Sequence, residues 1–186
     1  MLKDTRPTLL VRSGTILFAV SIAFAYALYP HWITLSDFAL RWYTLIPFII
    51  AMFIAMFELW YIGTGLHKHS HLKAGASALD ASTVCTVLIL CIPYMGGAVQ
   101  KDIHDAVAVL FVIFAAVGFA LVAKRTRYYS LGWLSGGMFG LCALELIFLA
   151  RYKEHPVYPW VWTVMELAGV AMMMVALNVV AKFLEL

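Results

Sequence analysis

Residues 39–62 read ALRWYTLIPFIIAMFIAMFELWYI, and beyond Arg41 the only charge in that run is Glu58. A helix needs about 20 apolar residues to cross the hydrocarbon core of a bilayer, and this run supplies them. No apolar–polar alternation of the barrel type runs through it. A backbone in lipid must satisfy its own hydrogen bonds, so the run reads as a transmembrane helix. Pro47 removes one backbone bond and predicts a bend.

Five more segments of this kind flank it, at about 14–30, 82–100, 104–123, 130–150 and 159–181. The chain is 64% hydrophobic and 12% charged. A soluble domain is about half apolar and about a quarter charged, so this chain could not cover a water-facing surface. The expectation is an all-α polytopic membrane protein, a six-transmembrane-helix bundle, with residues 1–186 forming one membrane domain. The first segment also has signal-peptide marks: basic Lys3, Arg6 and Arg12, then Ala23-Phe24-Ala25. Its length and the stripe Ala19, Ala23, Ala27 favour a span with helix-packing residues.

Six spans put both termini on one side. That side holds Lys3, Arg6, Arg12, Lys68, Lys73, Lys124, Arg125, Arg127 and Lys182, nine of the 13 basic residues. The other holds Arg41, Lys101, Arg151 and Lys153. The positive-inside rule makes the termini cytoplasmic, in the cell (inner) membrane. Tyr29, Trp32, Trp42, Tyr43, Tyr152, Tyr158, Trp160 and Trp162 gather at the opposite boundary as an aromatic belt. The longest loop is expected at about 63–81, and helices 3 and 4 are expected to join through Gln100–Ile103. No internal repeat of the transporter kind is visible.

Gly132, Gly136 and Gly140 form a four-residue stripe on helix 5, a spacing that lets helix backbones approach. Whether the partner is inside the chain or another copy is open. Pro93, Gly96 and Gly97 predict an irregular end to helix 3. Cys85, Cys91 and Cys142 read as small apolar residues, with no disulfide framework.

Acids inside spans are expensive and mark function or packing. Glu145 lies six residues before Arg151 and Glu166 seven after Pro159, each about 9–10 Å deep from the outer side at 1.5 Å per residue. His104 and Asp105 fall near them in height, with Asp102, Glu154 and His155 in flanking loops. One reading is an outward-facing polar pocket between helices 4, 5 and 6, with Glu145, Glu166, His104 and Asp105 binding a ligand or proton. The other is that the acids only fix helix packing. Glu58, five residues before Gly63, reads as a structural acid near water or a loop base. Asn178 reads as an interhelical hydrogen bonder. His67, His69 and His71 read as a solvated loop that gains charge in mild acid.

No phosphate-cradling motif, nucleophile elbow or triad spacing is present, so the pattern leans away from an enzyme and names no catalytic residue. The spans contain no HExxH, no Glu-x-x-His and no close His pair, so no metal and no cofactor is expected. Nothing points to nucleic acid. The basic run Lys124-Arg125-Thr126-Arg127 is expected to meet anionic headgroups, making membrane lipids the first partners.

The stretch Gln100–Ala108, with Lys101, Asp102, His104 and Asp105, resembles the DRAM-like superfamily of six-helix membrane proteins and their bacterial relatives. Trp162-Thr163-Val164-Met165-Glu166 is similar too. The likeness covers about residues 84–180, while the long first outer loop of that family is replaced here by about His31–Asp37. It implies lipid handling or membrane trafficking, and points to His104, Asp105 and Glu166. Three functions follow as expectations: handling of a lipid or small solute at the outer pocket, a non-catalytic subunit of a larger membrane complex, or the substrate-capture component of a vitamin transporter. Partners beyond lipid would be further copies or other membrane subunits.

Overall fold

The computed structural model describes residues 6–29, 42–92, 98–152 and 159–185. It is built of six α-helices: α1 (Pro7–Leu28), α2 (Trp42–His67), α3 (Lys73–Cys91), α4 (Ala98–Thr126), α5 (Tyr129–Tyr152) and α6 (Pro159–Leu184). No strand occurs among the described residues, and six helices are long and apolar enough to cross a membrane. The all-helical class and the six helices of spanning length follow from the hydropathy pattern.

Several boundaries do not. α1 begins at Pro7, seven residues before the apolar run, because proline at the first helical position lacks only a donor that would be unpaired anyway. The long loop expected over 63–81 is helix at both ends. Five residues, 68–72, separate α2 from α3, and Ser70–Leu72 among them form a 3-10 turn. The start of α3 has low hydropathy because it is rich in small residues. Those are its packing face, with Gly75, Ala76, Leu79 and Ser82 buried. α3 then stops at Cys91, with Ile92 extended (φ −95°, ψ 105°) ahead of Pro93. A residue before proline is pushed out of the helical region. Gln100–Ile103 are therefore early turns of α4 and not a link. Pro93, Gly96, Gly97, the segment His31–Asp37, Glu154, His155, Trp32 and Tyr158 lie outside the described residues. Pro47 does sit inside α2.

Consecutive helices pack as neighbours, and α6 closes the ring against α1 and α2. Four contacts place both termini at one end. The Thr8 N–H donates to the Glu185 carboxylate at 2.7 Å. The Phe183 ring lies 6.3 Å from His69 and 5.9 Å from Tyr128. The Leu184 side chain lies against Gly65. The α2–α3 turn and the α4–α5 corner thus share that end. Thr8 is in the first turn of α1, where N–H groups lack helical partners and negative charge is favoured.

The core sits towards the same end. The largest fully buried side chains include Leu59, Ile62 and Leu66 of α2, Leu79 of α3, Phe119 of α4, Leu131 and Met138 of α5, and Met173 and Leu177 of α6. All come from the half of each helix nearest the termini. Two seams are tied by polar atoms as well. The Ser82 hydroxyl donates to the Phe111 carbonyl (2.9 Å) across α3–α4, and Ser135 to Ala116 (2.8 Å) across α4–α5.

Among the described glycines the closest approach to another helix's backbone is between α3 and α4. A Cβ on Gly75 would stand 3.1 Å from the Gly118 carbonyl oxygen, and one on Gly118 equally close to that of Gly75. The α5 stripe is different. Gly132, Gly136 and Gly140 are exposed, and only Gly132 has a neighbour within 4 Å, Ala123 at 3.9 Å. Ala19, Ala23 and Ala27 are exposed as well, since α1 buries Val11, Phe18, Ile22 and Ala25. Both small-residue stripes therefore lie outside the seams between described helices. Cys85 and Cys142 are buried, while Cys91 is exposed.

Gly75→Ala and Gly118→Ala are expected to force the α3–α4 backbones apart and destabilise by about 1–3 kcal/mol. Gly136→Ala and Gly140→Ala are expected to be neutral or stabilising by up to about 1 kcal/mol, through helix propensity alone. Reversible unfolding in mixed micelles measures all four.

Candidate functional sites

The half of the bundle away from the termini holds the four residues singled out from the sequence. His104 lies six residues into α4 and is 2% exposed. Its Nδ1 is 3.2 Å from the carbonyl oxygen of Ile92, at the end of α3. A carbonyl only accepts, so Nδ1 carries the hydrogen. His104 thereby satisfies one of the carbonyls a helix C-terminus leaves without a helical partner. Asp105 follows it, half-buried. Glu145 is half-buried and continues the bundle-facing stripe Leu131, Ser135, Met138, Cys142 of α5. Glu166 is half-buried on α6, which packs on α5. The fold therefore brings these residues to one half of the bundle on three consecutive helices, with His104 tying α4 to α3. Among the described residues no group of three or more His, Cys, Asp or Glu is placed to hold a metal ion.

Glu58 is placed quite differently from its sequence reading. α2 continues to His67, so Glu58 is nine residues, about 13 Å at 1.5 Å per residue, from the helix end. It is 2% exposed, and neither carboxylate oxygen has a hydrogen-bond partner. Its seat is made by α1. A Cβ on Gly14 would overlap Glu58 Oε1, so only glycine leaves room there. The neighbouring Thr15 amide, inside α1, is already used by the helix ladder. Beside it the Asn178 amide of α6 donates to the Thr15 hydroxyl (2.9 Å) and to the Met174 carbonyl (2.8 Å). The interhelical role expected of Asn178 is thus found. Gly14, Thr15, Glu58 and Asn178 form one polar locus where α1, α2 and α6 meet. The sequence signals were the small residues Ser13-Gly14-Thr15 within an apolar helix and one amide in α6; neither says which acid they face.

The histidine tract is divided by the fold. His67 ends α2 and pairs with Asp80 of α3 at 2.6 Å. His69 meets His71 edge-on at 6.1 Å.

A third feature is an open groove of about 590 Å³ at the α4–α5 corner. It is lined by the small residues Ala120, Ala123 and Gly132 and by Lys124, Arg127, Tyr128, Tyr129 and Trp133. Arg127 has φ 58°, the left-handed conformation that ends α4 and turns the chain into α5. Tyr129 and Trp133 are 79% and 83% exposed. Large aromatics so exposed at a helix end suit a membrane–water boundary.

No family model matches the chain, and no curated protein or solved structure matches it either.

Asn178→Ala is expected to lower stability by about 0.5–2 kcal/mol, the range for one interhelical hydrogen bond in an apolar bundle. Gly14→Leu, which fills the seat of Glu58, is expected to lose more, because the helices must separate to admit the side chain. Unfolding in mixed micelles ranks the two.

Proposed function

We propose that this chain is a multi-pass membrane protein that binds and handles an anionic phospholipid at the α4–α5 corner. The observation that carries the reading is the groove, which sets two cations, Lys124 and Arg127, against exposed Tyr129 and Trp133 at the end of two spans. Each Lys or Arg near an anionic leaflet contributes about 1 kcal/mol, and tyrosine and tryptophan settle at headgroup level. The exposed glycines Gly136 and Gly140 continue from Gly132 along α5 and leave a track without side chains, suited to an acyl chain. With the termini in the cytoplasm, the groove opens to the inner leaflet, the anionic one. The proposal keeps the lipid handling implied by the likeness to the DRAM-like superfamily and moves its site to the other end of the bundle. A second reading keeps a small solute at the outer half, supported by the place of Glu145 on the bundle-facing stripe of α5.

Native mass spectrometry after gentle extraction separates these readings. The expected result is retained phosphatidylglycerol or another anionic lipid, reduced at least fivefold in Lys124→Gln/Arg127→Gln and unaffected by Glu145→Gln. Equal retention of phosphatidylcholine, or no effect of the double variant, would overturn the proposal. A retained small molecule lost in Glu145→Gln would support the outer site. Other polypeptides at fixed ratio would mark a subunit of a larger complex.

A further inference from the structure

The groove leaves the buried acid of α2 unexplained. An interhelical acid that only fixes packing is held by donors of the neighbouring helix; the donor of α1 nearest Glu58, the Thr15 amide, is already spent on the helix ladder. Both its oxygens are buried without a hydrogen-bond partner, against the bare backbone at Gly14. An isolated ionised carboxylate in an apolar interior is prohibitively unfavourable, so such a group takes a proton or an opposite charge. The charges on the helices packed around it do not serve. Arg12 of α1 and Lys182 of α6 are exposed, and Asp80 of α3 is paired with His67. The polar groups nearest the seat, Thr15 and Asn178, are bonded to each other. Calcium or magnesium would ask for six or more oxygen ligands, and this seat offers one carboxylate.

We propose that Glu58 is a proton-binding site: it holds a proton in the packing described here and releases it when α1 separates from α2 and α6. The step is a bare proton transfer. With α1 apart, a carboxylate oxygen takes a proton from water; with α1 seated, the neutral acid rests on Gly14; on reopening, the proton returns to water. The polar tie of α1 at this level is the Thr15–Asn178 bond, so separating α1 here breaks one side-chain hydrogen bond. The site lies apart from the α4–α5 groove and stands whether or not lipid binds there.

The test is solid-state NMR of the full chain in liposomes, carbonyl-labelled on phenylalanine and fully labelled on glutamate. Phe57–Glu58 is the only Phe–Glu step in the sequence, so its side-chain carboxyl signal is isolated even if Glu58→Gln fails to fold. The expected result is a protonated carboxyl at pH 7, lost on raising pH. In step with that loss, Val11→Cys, buried on α1, gains at least tenfold in reaction with a water-soluble maleimide in a cysteine-free background. An ionised Glu58 at pH 7 would overturn the proposal. So would ionisation on adding sodium or calcium at constant pH, which would mark a cation site. Proton loss with no change at Val11→Cys would overturn the coupling to α1.

Discussion

Helices surrounded by hydrocarbon gain little from hiding apolar surface on one another, because lipid tails are as apolar as leucine. Their contacts have to come from close backbones and from hydrogen bonds that cross the seam. The α3–α4 pair shows both, with Gly75 and Gly118 face to face and Ser82 bonded to the Phe111 carbonyl. Ser135 repeats the second device between α4 and α5. The other close contacts follow from this pair. α2 and α5 pack on its two sides, and α6 then bridges back to α1 and α2. The largest buried side chains collect in the half nearest the termini, where the close approach of α3 and α4 lies.

This division gives the two halves different characters. The tight half excludes water from Glu58, so an unpartnered carboxylate there is a statement about protonation. The looser half leaves Glu145 and Glu166 partly exposed. Acids there can reach neighbours or water, and depth alone does not make them a site. The α4–α5 groove lies at the end of the tight half, on its outside. It is a surface feature created by the left-handed turn at Arg127, which aims cationic and aromatic side chains at one opening.

Hydropathy made the helical class and the count of six legible, because length and apolarity alone decide whether a helix can span. It misjudged the start of α3, since alanine, glycine and serine lower mean hydropathy while serving close packing. It placed the α3–α4 link too late because Ile92, Pro93 and the glycines after them sit within an apolar run. The glycine repeat on α5 was visible, but spacing says nothing about what faces it; the glycines that do touch, Gly75 and Gly118, have no repeat at all. Height along the helices grouped His104, Asp105, Glu145 and Glu166 in one half. Glu58 was underrated because its depth depends on where α2 ends, and its isolation on Gly14 of a helix more than 40 residues earlier. Contacts between distant segments have no local signature.

The meeting of α1, α2 and α6 also orders the protein's birth. α1 and α2 are made before α6, and Glu58 with them. Asn178 lies in α6, 120 residues after Glu58, so the ring cannot close until that helix has been made. Until then the Thr15 hydroxyl beside Glu58 lacks its partner from α6. A chain halted before α6 would leave the α1–α2 pair, and the acid it encloses, without its third wall.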